Sequence, residues 1–184
     1  VHMSRGLGDV YKRQYHDNVL AKQAGCGRTP WHFDDHHFPL DTNDVVTAWV
    51  PAQPIPLEMG PLTFAYPLDV HELVNAVTFE KTGTGYDRGV SDVFSKNNVS
   101  VNETPFELGE VSFHHNLNFH TASSNRTNRS RVALANTYYR DGARVVNAPT
   151  MVSGDWQKFM PNVKPGDVAA SPLNPICWPV KDKS

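Results

Sequence analysis

A histidine and an aspartate separated by one residue, His32 and Asp34 in Trp31-His32-Phe33-Asp34, lie far along the chain from His120 and Arg131. For these side chains to converge, segments distant in sequence must become neighbours in space. On extended backbone, residues i and i+2 point to one face, so His32 and Asp34 can reach a single ion while Phe33 turns into the wall. Two imidazoles and one carboxylate are the parts of a facial triad. Such a triad grips non-heme Fe(II) from one side and leaves the opposite positions open. Alone, the HxD pair has little specificity, because a surface loop of hydrogen-bonded polar groups yields it as readily.

The second imidazole has three candidates, His114, His115 and His120. On a continued strand His114 and His120 share a face and His115 opposes them, but Asn116-Leu117-Asn118 interrupts the run. Parity alone therefore leaves the choice open. Arg131 decides it: a connection through Ser123-Ser124-Asn125 into a strand starting at Arg131 brings the guanidinium alongside His120. A guanidinium fork there suits the far carboxylate of a 2-oxoglutarate co-substrate. Arg126 and Arg129 fall within the polar connection and read as solvated.

The rest of the chain reads mostly as short strands joined by turns, in keeping with 12 Gly and 14 Pro in 184 residues and with one domain. Strands are expected at Val45–Val50, Leu62–Tyr66, Glu110–His114 and Val132–Tyr139. In the last of these, parity with Arg131 turns Tyr139 inward. A helix is expected over Val70–Val77, with Asp69 as N-cap and Glu72 completing a capping box. Residues 80–104, polar and Gly/Asn-rich, read as a long loop in the position of an active-site lid. The tail from Pro161 to Pro179 reads as irregular.

Lys+Arg 17 against Asp+Glu 19 gives a formal charge of -2, so neither nucleic acid nor an anionic membrane is an expected partner. No apolar run reaches the length of a membrane span. Cys26 and Cys177 have no CxxC spacing, and a reducing cytoplasm is the expected location. Asp9-Val10-Tyr11-Lys12-Arg13-Gln14 is what in-frame translation of a sequencing-library adaptor gives, and Val1-His2-Met3 looks like a cloning remnant. Residues 1–14 are therefore expected to be an artefact, and residues 15–184 a single domain lacking its usual N-terminal part. A partner copy covering the exposed sheet is a further expectation.

The ordered runs TPWHFDDHHFPL, AWVP, GPLTF and ELGEVSFHHNLNFHTASSNRTNRSRVAL resemble the phytanoyl-CoA dioxygenase-like branch of the Fe(II)/2-oxoglutarate oxygenases, from about Tyr15 to Pro175. The resemblance implies an all-β double-stranded β-helix, a cupin-like jelly roll with a few short helices and the metal in its mouth. It also implies His32, Asp34 and His120 as iron ligands, Arg131 on the C5 carboxylate of 2-oxoglutarate, and Trp49 lining the co-substrate pocket. The implied reaction uses O2 to hydroxylate an aliphatic carbon of a small molecule, releasing succinate and CO2.

Departures from the family pattern are Phe33 in place of Gln, Pro67-Leu68-Asp69 in place of Gly-Ser-His, and Ala122 where a small hydroxyl residue is usual. Thr121 or Ser123 is then left to contact the co-substrate. Lys22 reads as a solvated lysine, and Asp35, His36 and His37 as rim residues. Asp34 argues against the halogenating relatives, where a small residue frees that coordination place for chloride. Two competing readings remain: a jelly-roll fragment that binds metal or 2-oxoglutarate without turning over, and a cupin-type metal enzyme independent of 2-oxoglutarate.

Overall fold

From Arg131 to Tyr139 every second residue is buried and those between are half-buried, the signature of a strand with one face in a core. Around this strand the computed structural model, which describes residues 12–78 and 84–178, arranges two antiparallel sheets. In chain order the elements are β1 (Lys12–Lys22), β2 (Thr29–His32), β3 (Val45–Pro51), β4 (Leu62–Tyr66), α1 (Val70–Leu73), α2 (Gly85–Asn97), β5 (Ser100–Glu103), β6 (Ser112–His115), β7 (His120–Ala122), β8 (Arg131–Arg140) and β9 (Ile176–Trp178). The larger sheet runs β6-β3-β8-β1-β9 and the smaller β2-β7-β4-β5. Consecutive strands repeatedly switch sheets, as in a jelly roll.

Trp49, Ala133 and Ala135 of the larger sheet pack against Leu62 and Phe64 of the smaller, so the two sheets face each other across a shared core. A second cluster closes one end of the larger sheet, where Tyr15, Val45 and Tyr139 meet Trp156 and Met160 from the C-terminal segment. The third lies behind the smaller sheet. Strand β4 is buried on both faces: Phe64 looks inward, while Ala65 looks out beneath Tyr86, Val90 and Phe94 of α2.

That helix replaces the expected long loop. Tyr86, Val90 and Phe94 fall at i, i+4 and i+8, one narrow apolar stripe in an otherwise polar segment. The polarity of the segment masks this period in the sequence. Residues 80–83 of the expected loop lie outside the described residues, and 100–103 form β5. Asn98 ends α2 in the left-handed conformation (φ 52°), a common cap for an asparagine.

Other boundaries also differ. The expected helix at 70–77 stops at Leu73, and the Asp69 side chain makes no capping bond, so the capping box is not formed. Strand β6 starts at Ser112 because Glu107–Glu110 close a turn, with the Glu110 carboxylate accepting from the Glu107 amide at 2.7 Å. Of residues 1–14, expected to be an artefact, 1–11 lie outside the described residues and Lys12–Gln14 open β1. Strand β1 itself, pairing along the length of β8, went unread, as did β9 in the tail. A register shift between Gln14 and His16 sets Tyr15 outside the ladder, so that Tyr15 enters the core and His16 lines the cavity described below. Among the described residues no helix is long and apolar enough to cross a membrane.

Candidate metal centre

His32 ends β2 and His120 opens β7, and the two are directly paired, with ring centroids 4.2 Å apart. Alternation turns their neighbours the other way. Trp31 and Phe119 stack at 5.5 Å on the outer face beneath α2, and the Tyr86 hydroxyl donates to the Trp31 carbonyl at 2.9 Å. The helix is therefore a buttress for the two histidine strands. Each imidazole is oriented in the same way: Nδ1 of His32 donates to the Pro30 carbonyl and Nδ1 of His120 to the Asn118 carbonyl, both at 2.8 Å. Both Nε2 lone pairs are thereby turned inward and free to take a metal.

Asp34 joins them by a different route from the one expected. The strand stops at His32, and Asp34 sits in a helical conformation (φ -83°, ψ -15°) leading into a single 3-10 turn. Its amide donates to the Asn116 carbonyl at 2.8 Å, and the Asn116 side chain bonds Asp35 at 2.8 Å. The turn brings Asp34 Oδ1 to 3.7 Å from His32 Nε2 and 3.8 Å from His120 Nε2. Ligand atoms from His32, Asp34 and His120 all lie within 4.8 Å of one another, the one such group among the described residues.

Burial and the neighbouring side chains together set the protonation states of this group. Burial lowers the His32 pKa and, with the neighbouring His32 imidazole, pushes His120 down to about 3. For Asp34, burial alone favours the neutral acid, but the imidazoles of His114, His120 and His32 outweigh it and hold the carboxyl well below the usual range. Two neutral imidazoles and one carboxylate, open on one side, fit a ferrous ion.

The open side faces a cavity of about 620 Å³ between the sheets. On its far wall Arg131 opens β8, buried, with its Nη1 donating to the Gly60 carbonyl at 2.5 Å and its guanidinium carbon 5.3 Å from the centre of the Trp49 ring. The Nε of Arg131 and the indole Nε1 of Trp49 are buried without partners. Gly60 has φ 73°, and a Cβ there would run into the Ser123 carbonyl, so only glycine presents this oxygen to Arg131.

Lys22 corrects the solvated reading: it is buried, paired opposite Arg131 in the sheet, and donates to Thr29 Oγ1 at 3.2 Å. Burial and the adjacent guanidinium lower its pKa to about 8. Two cations thus share one wall with no carboxylate in ion-pair reach among the described residues.

The remaining candidates separate cleanly. Thr121 lines the cavity, though its hydroxyl donates to the Thr29 carbonyl; Ser123 instead donates to Glu103 at 2.8 Å and is not part of the lining. His37 reaches the cavity, while His36 packs on Phe33 at 4.2 Å. Tyr139 is inward but belongs to the core at the other end, bonded to the Ala169 carbonyl. His114, a candidate for the second imidazole before Arg131 favoured His120, and His16, given no role from sequence, both line the cavity. The parity of β6 about Thr47 was the available signal for His114.

Many solved structures share the fold, three of them with the following likeness. A non-heme alpha-ketoglutarate-dependent carbocyclase, SnoK from nogalamycin biosynthesis, matches with TM-score 0.68 and 23% identity over 90% of this chain and 62% of its own. The epimerase SnoN matches with TM-score 0.68 and 21% identity over 91% and 63%. SnoN in complex with Fe3+, alpha ketoglutarate and nogalamycin RO matches with TM-score 0.66 and 22% identity over 90% and 64%. The chain thus spans less than two thirds of each of these proteins. No curated protein sequence matches it significantly. The profile of the phytanoyl-CoA dioxygenase (PhyH) family matches residues 3–133, and the chain belongs to that family.

Proposed function

We propose that this protein is an Fe(II)/2-oxoglutarate-dependent oxygenase acting on a small organic molecule, and that it hydroxylates an aliphatic carbon. The observation that carries this reading is the joint occupancy of one cavity by a His-Asp-His cluster, at the edge of the smaller sheet, and a buried, carboxylate-free pair of cations on the larger. His32, Asp34 and His120 would hold the metal. Arg131 and Lys22 would take the distal carboxylate of 2-oxoglutarate, with Trp49 as the flat wall beneath the guanidinium. When bound, the ferrous ion supplies O2 activation coupled to decarboxylation of the keto acid. The chain supplies orientation, a charge that matches the co-substrate, and an apolar surround from Leu62 and Ala135 that limits water.

The solved relatives support the class and leave the outcome open, since a carbocyclase and an epimerase share the fold. Hydroxylation is the simplest outcome for a substrate placed with a C–H bond toward the open side of the triad.

The test is succinate formation from 2-oxoglutarate under Fe(II) and O2, in the chain as given and in His32→Ala and Asp34→Ala. Turnover retained in either variant refutes the ligand assignment. Binding of 2-oxoglutarate without succinate release favours the alternative of a catalytically inactive metal- and 2-oxoglutarate-binding jelly roll.

A further inference from the structure

Asp34 divides its two oxygens between different neighbours. Oδ1 faces His32 and His120, while Oδ2 lies 3.6 Å from Nε2 of His114. His114 is only 5% exposed, standing on β6 opposite Thr47, with its ring 4.9 Å from that of His120 and 5.4 Å from Phe64. Its other nitrogen, Nδ1, is buried without a partner. With no acceptor at Nδ1, the ring proton belongs on Nε2, aimed at the carboxylate.

A carboxylate that gives one oxygen to a metal leaves the other as a buried acceptor, and an unmet buried acceptor is costly. The ring nitrogen placed against Oδ2 is that of this imidazole. The backbone ties the same segments together, since the Asp34 amide donates to the Asn116 carbonyl two residues beyond His114.

We propose that His114 is a positioning residue, whose Nε2–H holds Oδ2 of Asp34 so that Asp34 meets the metal through Oδ1 alone. A carboxylate free to swing would chelate through both oxygens and take a coordination place that the co-substrate needs. The inference rests on the metal site proposed above. It gives the imidazole that parity left undecided a role distinct from that of a ligand.

The test uses Co(II), which is stable in air and reports coordination through its visible d–d bands. The full chain and its His114→Leu, His114→Gln and His32→Ala variants are stripped of metal and titrated with Co(II), and the thermal midpoint of each metal-free protein is recorded. Gln places an amide N–H close to the Nε2 position and should keep both the affinity and the spectrum of the unmodified chain. Leu should weaken Co(II) by about 10–100-fold, the usual effect of losing such a supporting hydrogen bond. Its d–d bands should also become weaker as coordination number rises, with a midpoint matching that of the Gln variant. Unchanged affinity and bands in His114→Leu overturn the proposal, as does equal weakening in both His114 variants, which marks a packing role. If the unmodified chain binds Co(II) no better than His32→Ala, the metal site itself fails, and this inference with it.

Discussion

Replacing Arg131 by Met separates the two things a buried cation does. Arg131 is 6% exposed, donates one bond to the Gly60 carbonyl, and leaves Nε unpartnered beside a second buried cation, Lys22. Truncating one partner of a buried, hydrogen-bonded charge pair costs about 2–5 kcal/mol of binding. Lys22 survives the substitution and keeps part of the attraction, so the low end applies, about 2–3 kcal/mol. At about 1.4 kcal/mol per decade this is roughly a 30- to 150-fold loss of 2-oxoglutarate affinity.

Stability of the ligand-free protein should move the other way or not at all. The desolvated guanidinium has no carboxylate partner, and its removal relieves repulsion of Lys22. Against this stands the Gly60 carbonyl, which loses its donor at a cost of about 1 kcal/mol. Calorimetric titration of the Mn(II)-loaded protein with 2-oxoglutarate, beside thermal midpoints without ligand, reads both quantities. An affinity within about threefold of the unmodified chain, less than 1 kcal/mol by the same conversion, would refute the assignment of Arg131 to the co-substrate.

The Lys22 ammonium, lowered to about 8 by burial and by Arg131, predicts a pH dependence. Between pH 8 and the ordinary lysine value of 10.5 the unfolded chain binds more protons than the folded one, so ligand-free stability should rise with pH across that window. Over the same window 2-oxoglutarate affinity should fall as the second cation is lost, and Lys22→Met should flatten both profiles in titrations from pH 7 to 10.5. Phe94→Ala removes the α2 side chain that packs on Trp31 and Phe119; a loss of about 3–5 kcal/mol in denaturant unfolding is expected, with weakened Co(II) binding as the histidine strands loosen. Gly60→Ala forces a Cβ against the Ser123 carbonyl at a positive φ, so it should lower 2-oxoglutarate affinity in the same calorimetric assay while sparing Co(II) binding. An unaltered keto-acid affinity there would show that the Gly60 carbonyl does not set the guanidinium.

The parts of this protein that speak in sequence are those governed by short-range alternation. Strand β8 was legible because Arg131, Ala133, Ala135, Thr137 and Tyr139 share one face, and the same parity turns Tyr139 inward. The convergence of His32, Asp34 and His120 could be read from residue types. Its geometry could not, since a turn rather than a continued strand delivers Asp34.

Strand β1 escaped notice because its burial does not alternate cleanly and a bulge breaks its register. Lys22 was misread for a related reason: nothing within its own segment shows that the strand opposite begins with Arg131. Helix α2 was missed because three buried residues in thirteen make a weak signal in a polar stretch, although their spacing is helical. His114 needed both its strand parity and the path of the Asp34 turn, and only the first is written locally.

In the proposed site the two histidines stand on the smaller sheet, with Asp34 in the turn that follows β2, while the two cations stand on the larger, so the gap between sheets would work as a ruler. A keto acid anchored at both ends is measured by its carbon count, and homologues one methylene shorter or longer should be turned away without any contact to their middle. The gauge is set by Trp49, Leu62 and Phe64, residues that spread the layers and never need to touch the reacting carbon.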